Sequence, residues 1–185
     1  MNKVLIADSV SSAVSEVFDK NGIAYDTKIG LSEDELATEI TEYSGLIVRS
    51  AVTVTEKIIN SAINLKVIGR PGVGVDNVDL KAATNNGIVV MNTPLGNVQA
   101  TAELTFGIMH SLMRKISNAN QSMHQKKWEK KKFIGNEMYG KTIGIIGFGN
   151  IGKKVSQIAH AYGMNVLVYS ASISPEDEKK FNVTN

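Results

Sequence analysis

An α/β fold built on a parallel sheet is predicted by three features of this chain. Short apolar, β-rich runs alternate with helical patterns from Val4 onward, and the helical patterns open on Ser, Thr or Asp. Further along, the glycine-rich stretch Gly147-Phe-Gly149-Asn-Ile-Gly152 lies between an apolar run and a helical one. Strands that alternate with helices run parallel, are covered on both faces and hold ligands at their carboxyl ends.

In order, residues 4–7, 25–29, 45–48, 66–69 and 88–91 read as strands. Between them, residues 11–20, 32–42, 55–62 and 79–85 read as helices, starting at Ser11, Ser32, Thr55 and Asp79. Two of the strand ends are chemically loaded. Arg49-Ser50 follows the third strand, and Arg70-Pro71-Gly72-Val73-Gly74-Val75-Asp76-Asn77 follows the fourth. An arginine fork beside exposed backbone N–H groups suits a carboxylate or phosphate, which makes this the expected substrate end. The competing reading is a surface ion pair for the arginine and plain turn duty for the glycines. Asp76 and Asp79 read as turn and cap residues, not as acids in a reaction.

Residues 99–115 form a long helical pattern with Ala102, Leu104, Phe106, Ile108, Met109, Leu112 and Met113 on a wide apolar face, suited to joining domains or meeting a partner helix. The basic, Trp-bearing strip at 124–132 follows it. With a net charge of +2 over the whole chain and one Trp, that strip reads as a solvated connection and not as a nucleic-acid surface.

Residues 142–146 make the strand before the glycine turn. Lys153 to Tyr162 carries Val155, Ile158, Ala159 and Tyr162 at helical spacing. In that context each glycine has a role: Gly147 for the tight turn, Gly149 for close approach of a pyrophosphate, Gly152 for close helix–strand packing. The phosphates would rest on the free N–H groups and positive end of the helix. Gly147 to Lys153 also reads as the start of a triphosphate-binding P-loop, but Lys154 stands where a Ser or Thr must hold Mg²⁺. The next strand, 165–169, ends at Ser170, where a site preferring NAD would carry Asp or Glu for the ribose hydroxyls. Serine can bond a ribose but cannot repel a 2′-phosphate, so NADP is not excluded. Asp177 and Glu178, after Ser174-Pro175, are expected on a solvated helix start.

The bulk numbers agree with a soluble, cytoplasmic protein of one to two small domains: 185 residues, 43% hydrophobic, 21% charged. Apolar runs are strand-sized and Asp8 comes too early for a signal sequence, so no membrane or export role is expected. The absence of cysteine excludes disulfides, thiolate metal sites and a Cys nucleophile. The histidines show no metal-ligand spacing.

Taken in order, Gly72-Val-Gly-Val-Asp-Asn-Val-Asp79, Val90-Met-Asn-Thr-Pro94 with Gly96-Asn97, Ala102-Glu-Leu104, Lys127-Trp-Glu129 with Lys132-Phe133, and the glycine turn closely resemble the D-2-hydroxyacid dehydrogenases. The likeness is greatest to the members acting on 3-phosphoglycerate. It implies a flavodoxin-like substrate domain over residues 1–98, then a linking helix and the first βαβ part of a Rossmann NAD-binding domain over 99–185. It implies that Arg49 and Ser50 face the substrate's anionic end, and that Val73 and Gly74 lie by substrate and nicotinamide through their backbone. Asn150 and Ile151 would meet the pyrophosphate, and the 99–115 region would help form a homodimer. Two residues depart from the family pattern: Ser170, at the acidic ribose position, and Pro71, where a small flexible residue is usual.

In the family, a histidine, a carboxylate that orients it and an arginine carry the oxidation, and the resemblance puts all three beyond residue 185. His110, His124 and His160 sit in helical patterns, away from strand ends, and none is expected to substitute. The chain is thus expected to bind a 2-hydroxy acid and a dinucleotide yet to be inactive alone. Two readings compete with it: a non-catalytic module that binds anions or pairs with a longer homologue, and a dehydrogenase of another 2-hydroxy acid. The second domain, with one βαβ unit, is expected to be marginal.

Overall fold

The computed structural model describes residues 3–171 and 173–184. The chain folds as two compact units, Met1–Gly96 and Asn97–Asn185.

In the first unit, β1 (Lys3–Ile6), β2 (Ala24–Thr27), β3 (Gly45–Ile47), β4 (Val67–Arg70) and β5 (Val89–Asn92) form a parallel sheet in the order β2-β1-β3-β4-β5. This is the flavodoxin-like order expected. The connecting helices are α1 (Ala13–Lys20), α2 (Glu33–Glu39), α3 (Glu56–Ser61) and α4 (Leu80–Asn85). Strand order reverses after β2, and right-handed crossovers then put α1 on one face and α2, α3 and α4 on the other.

The α2–α4 face holds the core. Leu5, Leu46 and Ile68 from the strands meet Leu36, Ile58, Ile59 and Ala83 from the helices, all at most 1% exposed. Truncating such a residue, Leu46→Ala for example, would cost roughly 2–5 kcal/mol. On the opposite face α1 has no buried residue, and Val4, Ile47, Val67 and Met91 line an open apolar trough beside Val14 and Phe18. Ser32 and Glu35 close a capping box on α2, and the Asp79 carboxylate caps α4 through the Ala82 N–H at 2.9 Å, as expected for Asp79.

In the second unit, β6 (Thr142–Ile146) and β7 (Asn165–Tyr169) pair in parallel, with Thr184 bridging to Leu167 on the outer edge. α5 (Val98–Met113) and α7 (Asn150–Ala161) cover one sheet face, where Ala102, Phe106, Val155 and Ala159 meet Ile145, Val166 and Val168. Ile146, Leu167 and Tyr169 stand exposed.

The helical pattern expected through residue 115 stops sooner. Asn136 N–H donates to the Met113 carbonyl at 2.9 Å, Gly135 passes tightly against that carbonyl, and Lys115 turns left-handed at φ 53°. A polar helix, α6 (Ile116–His124), follows, which the sequence pattern did not predict. Helix α8 (Pro175–Phe181) starts on a Ser174 cap, but Asp177 is not solvated as expected. Its half-buried carboxylate is ion-paired with Lys153 Nζ of α7 at 2.9 Å. No helix among the described residues is long and apolar enough to cross a membrane.

Candidate functional site

At the carboxyl end of the first unit's sheet, two exits from neighbouring strands stand side by side. Beyond β3 the chain leaves through Arg49 and Ser50, both exposed. Asp8, one residue past the β1 ladder and 5% exposed, reaches across to this exit. Its Oδ2 accepts the N–H groups of Arg49 at 2.9 Å and Ala51 at 3.0 Å, while Oδ1 accepts that of Ser9 at 2.7 Å. From the β4 side, Asn77 Nδ2 donates to the carbonyls of Arg49 at 2.5 Å and Val52 at 2.6 Å.

The β4 exit itself is braced by β5. Asn92 Nδ2 donates to the Val73 carbonyl at 2.6 Å and Thr93 N–H to that of Gly72 at 2.9 Å. A Cβ on Gly72 would run into the Arg70 guanidinium, so glycine there is what lets Arg70 fold over the loop. Arg70 Nε and Asn77 Oδ1 are buried without a protein partner among the described residues. Val73 and Gly74 remain exposed. The four predicted substrate-end residues thus sit exposed on adjacent, mutually bonded loops, with one guanidinium to offer an anion. Sequence reading missed the braces. Asp8, Asn77 and Asn92 bond across 41, 28 and 19 positions, and the only local signal was a lone Asp ending an apolar strand.

In the second unit each glycine of the turn after β6 meets a distinct demand. Gly147 has φ +90°, a left-handed conformation, and its N–H carries the ladder one step further to the Tyr169 carbonyl at 2.8 Å. Gly149 stands at the N-cap of α7, and a Cβ built there would meet no atom within 4 Å. Gly152 is buried, and its Cβ would run into the Gly147 carbonyl oxygen.

The first bond inside α7 runs from Lys153 N–H to Gly149 O at 2.9 Å, which leaves the Asn150, Ile151 and Gly152 N–H groups without a helical acceptor. Open space at Gly149 before those donors fits a diphosphate. Lys153 is not a free phosphate ligand: it is tied to Asp177, with its ammonium 5.5 Å from the Phe181 ring centre. Ser170 is half-buried at the end of β7, next to the residue that takes the Gly147 N–H. Val73, also expected to touch the dinucleotide, belongs to the first unit.

Two of the three histidines bond groups within the second unit. His110 Nε2 lies 2.8 Å from Tyr162 Oη, and His160 Nε2 lies 2.8 Å from the Phe181 carbonyl; among the described residues neither is bonded to a carboxylate. His124 ends α6. On α5, Leu104, Ile108 and Leu112, four residues apart, are 63%, 61% and 76% exposed and form one apolar stripe.

Comparison with known proteins is consistent along the whole chain. Residues 4–178 match the model of the D-isomer specific 2-hydroxyacid dehydrogenase catalytic domain. The human D-3-phosphoglycerate dehydrogenase is 48% identical over 183 residues, which is 99% of this chain and 34% of the human protein. The protein of that name from Synechocystis is 46% identical over 184 residues, 100% of this chain and 33% of that protein. Among solved structures, the TT0316 protein of Thermus thermophilus aligns with a TM-score of 0.84 at 29% identity, over 94% of this chain and 57% of that one. The chain therefore spans about a third of the length of the human and Synechocystis relatives, 34% and 33%.

Proposed function

The chain belongs to the D-isomer specific 2-hydroxyacid dehydrogenases, and on that premise we propose that it carries the substrate-binding and dinucleotide-binding parts of a D-3-phosphoglycerate dehydrogenase. The activity is oxidation of 3-phospho-D-glycerate to 3-phosphohydroxypyruvate with NAD, the opening step of serine biosynthesis, in the cytoplasm. The 48% identity to the human enzyme over 99% of the chain is the observation that carries this reading. Residues 1–98 act as the substrate domain and 99–185 as the linking helix with the first βαβ part of the NAD-binding domain.

Arg49 and Ser50 hold the substrate's anionic end, and the exposed backbone of Val73 and Gly74 adds N–H donors beside them. Gly147, Gly149 and Gly152 shape the turn, and the N–H groups of Asn150 and Ile151 take the diphosphate at the positive end of α7. A bound nicotinamide ring supplies the hydride acceptor. Neither His110 nor His160 is a free base for the hydroxyl proton, being engaged with Tyr162 and the Phe181 carbonyl, and His124 lies exposed at the end of α6 with no carboxylate bonded to it among the described residues. In this reading the 185 residues bind both ligands, and without an oriented histidine among the described residues they are expected to turn them over slowly or not at all.

Ser170 leaves cofactor choice weak, because a neutral hydroxyl can hydrogen-bond a ribose or a phosphate but neither repels a 2′-phosphate nor forms an ion pair with it. The exposed Leu104-Ile108-Leu112 stripe supports a second reading, in which α5 packs against its counterpart in a second copy to give a homodimer, or pairs the chain with a longer homologue.

The test is titration of the purified 185-residue chain with NADH, NADPH, 3-phospho-D-glycerate and D-lactate for binding, and incubation with NAD plus 3-phospho-D-glycerate, with absorbance at the nicotinamide band read for turnover, none being expected. NADH and NADPH should bind within about tenfold of each other, and Ser170→Asp should weaken NADPH alone by a further tenfold or so. The phosphorylated acid should bind more tightly than lactate, and Arg49→Ala should weaken it by about tenfold or more. Absence of dinucleotide binding would overturn the reading. A preference for lactate would move it to another 2-hydroxy acid.

A further inference from the structure

We propose that Asp8 and Asn77 are positioning residues for the substrate anion, acting through the Arg49–Ser50 exit that they clamp from opposite sides. The proposal rests on the reading of Arg49 and Ser50 as the anion contact.

Where two paired strands part, their backbone groups lose their partners. Up to Ala7, β1 pairs with β3 through backbone, the last bond running from Ala7 N–H to the Ile47 carbonyl at 2.9 Å. Past that point the two chains diverge, and the next β3 residues would present unpaired N–H groups at the rim of the sheet. The Asp8 carboxylate takes the place of the missing strand. One oxygen collects the N–H groups of residues 49 and 51, which bends the chain around it and puts Ser50 at the apex between two fixed peptides. Alternate N–H groups converging on one anion form a nest, here filled by an internal carboxylate.

The carbonyl side of the same segment is held by Asn77, whose single amide nitrogen bridges the Arg49 and Val52 carbonyls. The two brackets fix the backbone on both sides of the guanidinium-bearing residue, and Asn77 itself belongs to the β4 exit that presents Val73 and Gly74. Among the described residues, no backbone carbonyl accepts the Ser50 N–H, which leaves it available to a ligand.

A buried carboxylate near an anion site is costly unless its charge is used. Three N–H donors on Asp8 hold that charge inside the fold, so its role there is geometric. Preorganising a loop in its bound shape removes an ordering cost from ligand binding, and that is where the effect of Asp8 should be read.

The test is Asp8→Asn, alone and combined with Arg49→Ala, in the full 185-residue chain. Asparagine has the same size, but one of its two terminal groups can no longer accept an N–H. Thermal melts report folding, and titrations with 3-phospho-D-glycerate and with NADH report the two sites. Asp8→Asn should weaken 3-phospho-D-glycerate by about tenfold and leave NADH unchanged, and in the Arg49→Ala background it should cause little further loss. A purely structural Asp8 would instead lower the melting temperature equally in both backgrounds, with no selective loss of the acid. Should Asp8→Asn fail to fold, Asn77→Ala removes the opposite bracket and is expected to give the same selective loss. A folded variant of either kind that binds 3-phospho-D-glycerate like the wild type overturns the proposal. If the wild-type chain binds no 3-phospho-D-glycerate, it is the functional reading that fails, and the proposal falls with it.

Discussion

The adjoining exits from β3 and β4 and the turn after β6 all depart from parallel strands, yet they are held in opposite ways. Around the first, amide and carboxylate side chains from distant positions bond the backbone: Asn92 to Val73, Asn77 to Arg49 and Val52, Asp8 to Arg49 and Ala51. Around the second the constraint comes from missing side chains: a left-handed Gly147, an open Gly149 and a Gly152 pressed on the Gly147 carbonyl. The difference follows from which atoms must stay free. Loops that offer a side-chain fork can commit their carbonyls and some of their N–H groups to internal bonds, whereas a turn that offers only its own N–H groups must keep those unbonded. The first should therefore break when side chains are removed, and the second when they are added.

The largest expected effect is Gly152→Val. Its Cβ meets backbone, not a flexible side chain, so α7 must lift off β6. Overpacking of this kind costs roughly 1–3 kcal/mol or more, read as a lower melting temperature of the second unit. NADH affinity should fall by about 100-fold as the helix end moves, since each 1.4 kcal/mol is roughly tenfold. Retention of both would mean that the helix does not need its close approach.

Gly149→Ala separates packing from recognition. Its added methyl meets no protein atom within 4 Å, so stability should stay within about 0.5 kcal/mol of the wild type. Only a diphosphate drawn close to that backbone would sense the methyl, with an expected loss of roughly tenfold in NADH affinity. Equal binding by the alanine variant would remove Gly149 from the dinucleotide contact.

What the sequence made legible tracks the same contrast. The glycine turn was readable because its requirements are local, a fixed spacing flanked by a β-rich run and a helical run. The parallel sheet was readable because Leu5, Leu46 and Ile68 belong to continuous apolar strands with capped helices between them. Arg49, Ser50, Val73 and Gly74 were readable as the residues that follow strands. Asp8 and Asn77 were not, since their value depends on bonds over 28 or more positions that no periodicity encodes. The polar α6 carried no apolar stripe to announce it. The stop at Met113 comes from Gly135 and Asn136 crossing the helix end, a tertiary cause that overrides a continuing helical pattern.

The smallest expected difference lies away from both turns, on the β2 side of the first unit. Lys3 Nζ bonds Asp26 at 2.5 Å and Tyr43 Oη donates to Asp26 at 2.5 Å, while Lys28 pairs with Glu39 and Tyr43 Oη reaches Glu39 at 3.2 Å. The Lys3 ammonium, then the Tyr43 hydroxyl, hold Asp26 below the usual carboxylate range, and Lys28 does the same for Glu39. Burial, then the two carboxylates, pushes the Tyr43 phenol up. A carboxylate whose folded pKa is depressed contributes stability above its unfolded pKa, and that contribution is lost as pH falls through the folded value. The first unit should accordingly weaken below about pH 4, where free carboxylates begin to protonate. Both carboxylates are solvent-accessible, so the step should be modest and should shrink in high salt. In a melt series from about pH 6 to about pH 3, across the carboxylate range, Asp26→Asn should flatten the acid limb of the first unit and leave that of the second alone. An unchanged limb in that variant would show that the ion pairs at Asp26 contribute nothing to acid sensitivity, and the contrast between the units would then rest on the turns.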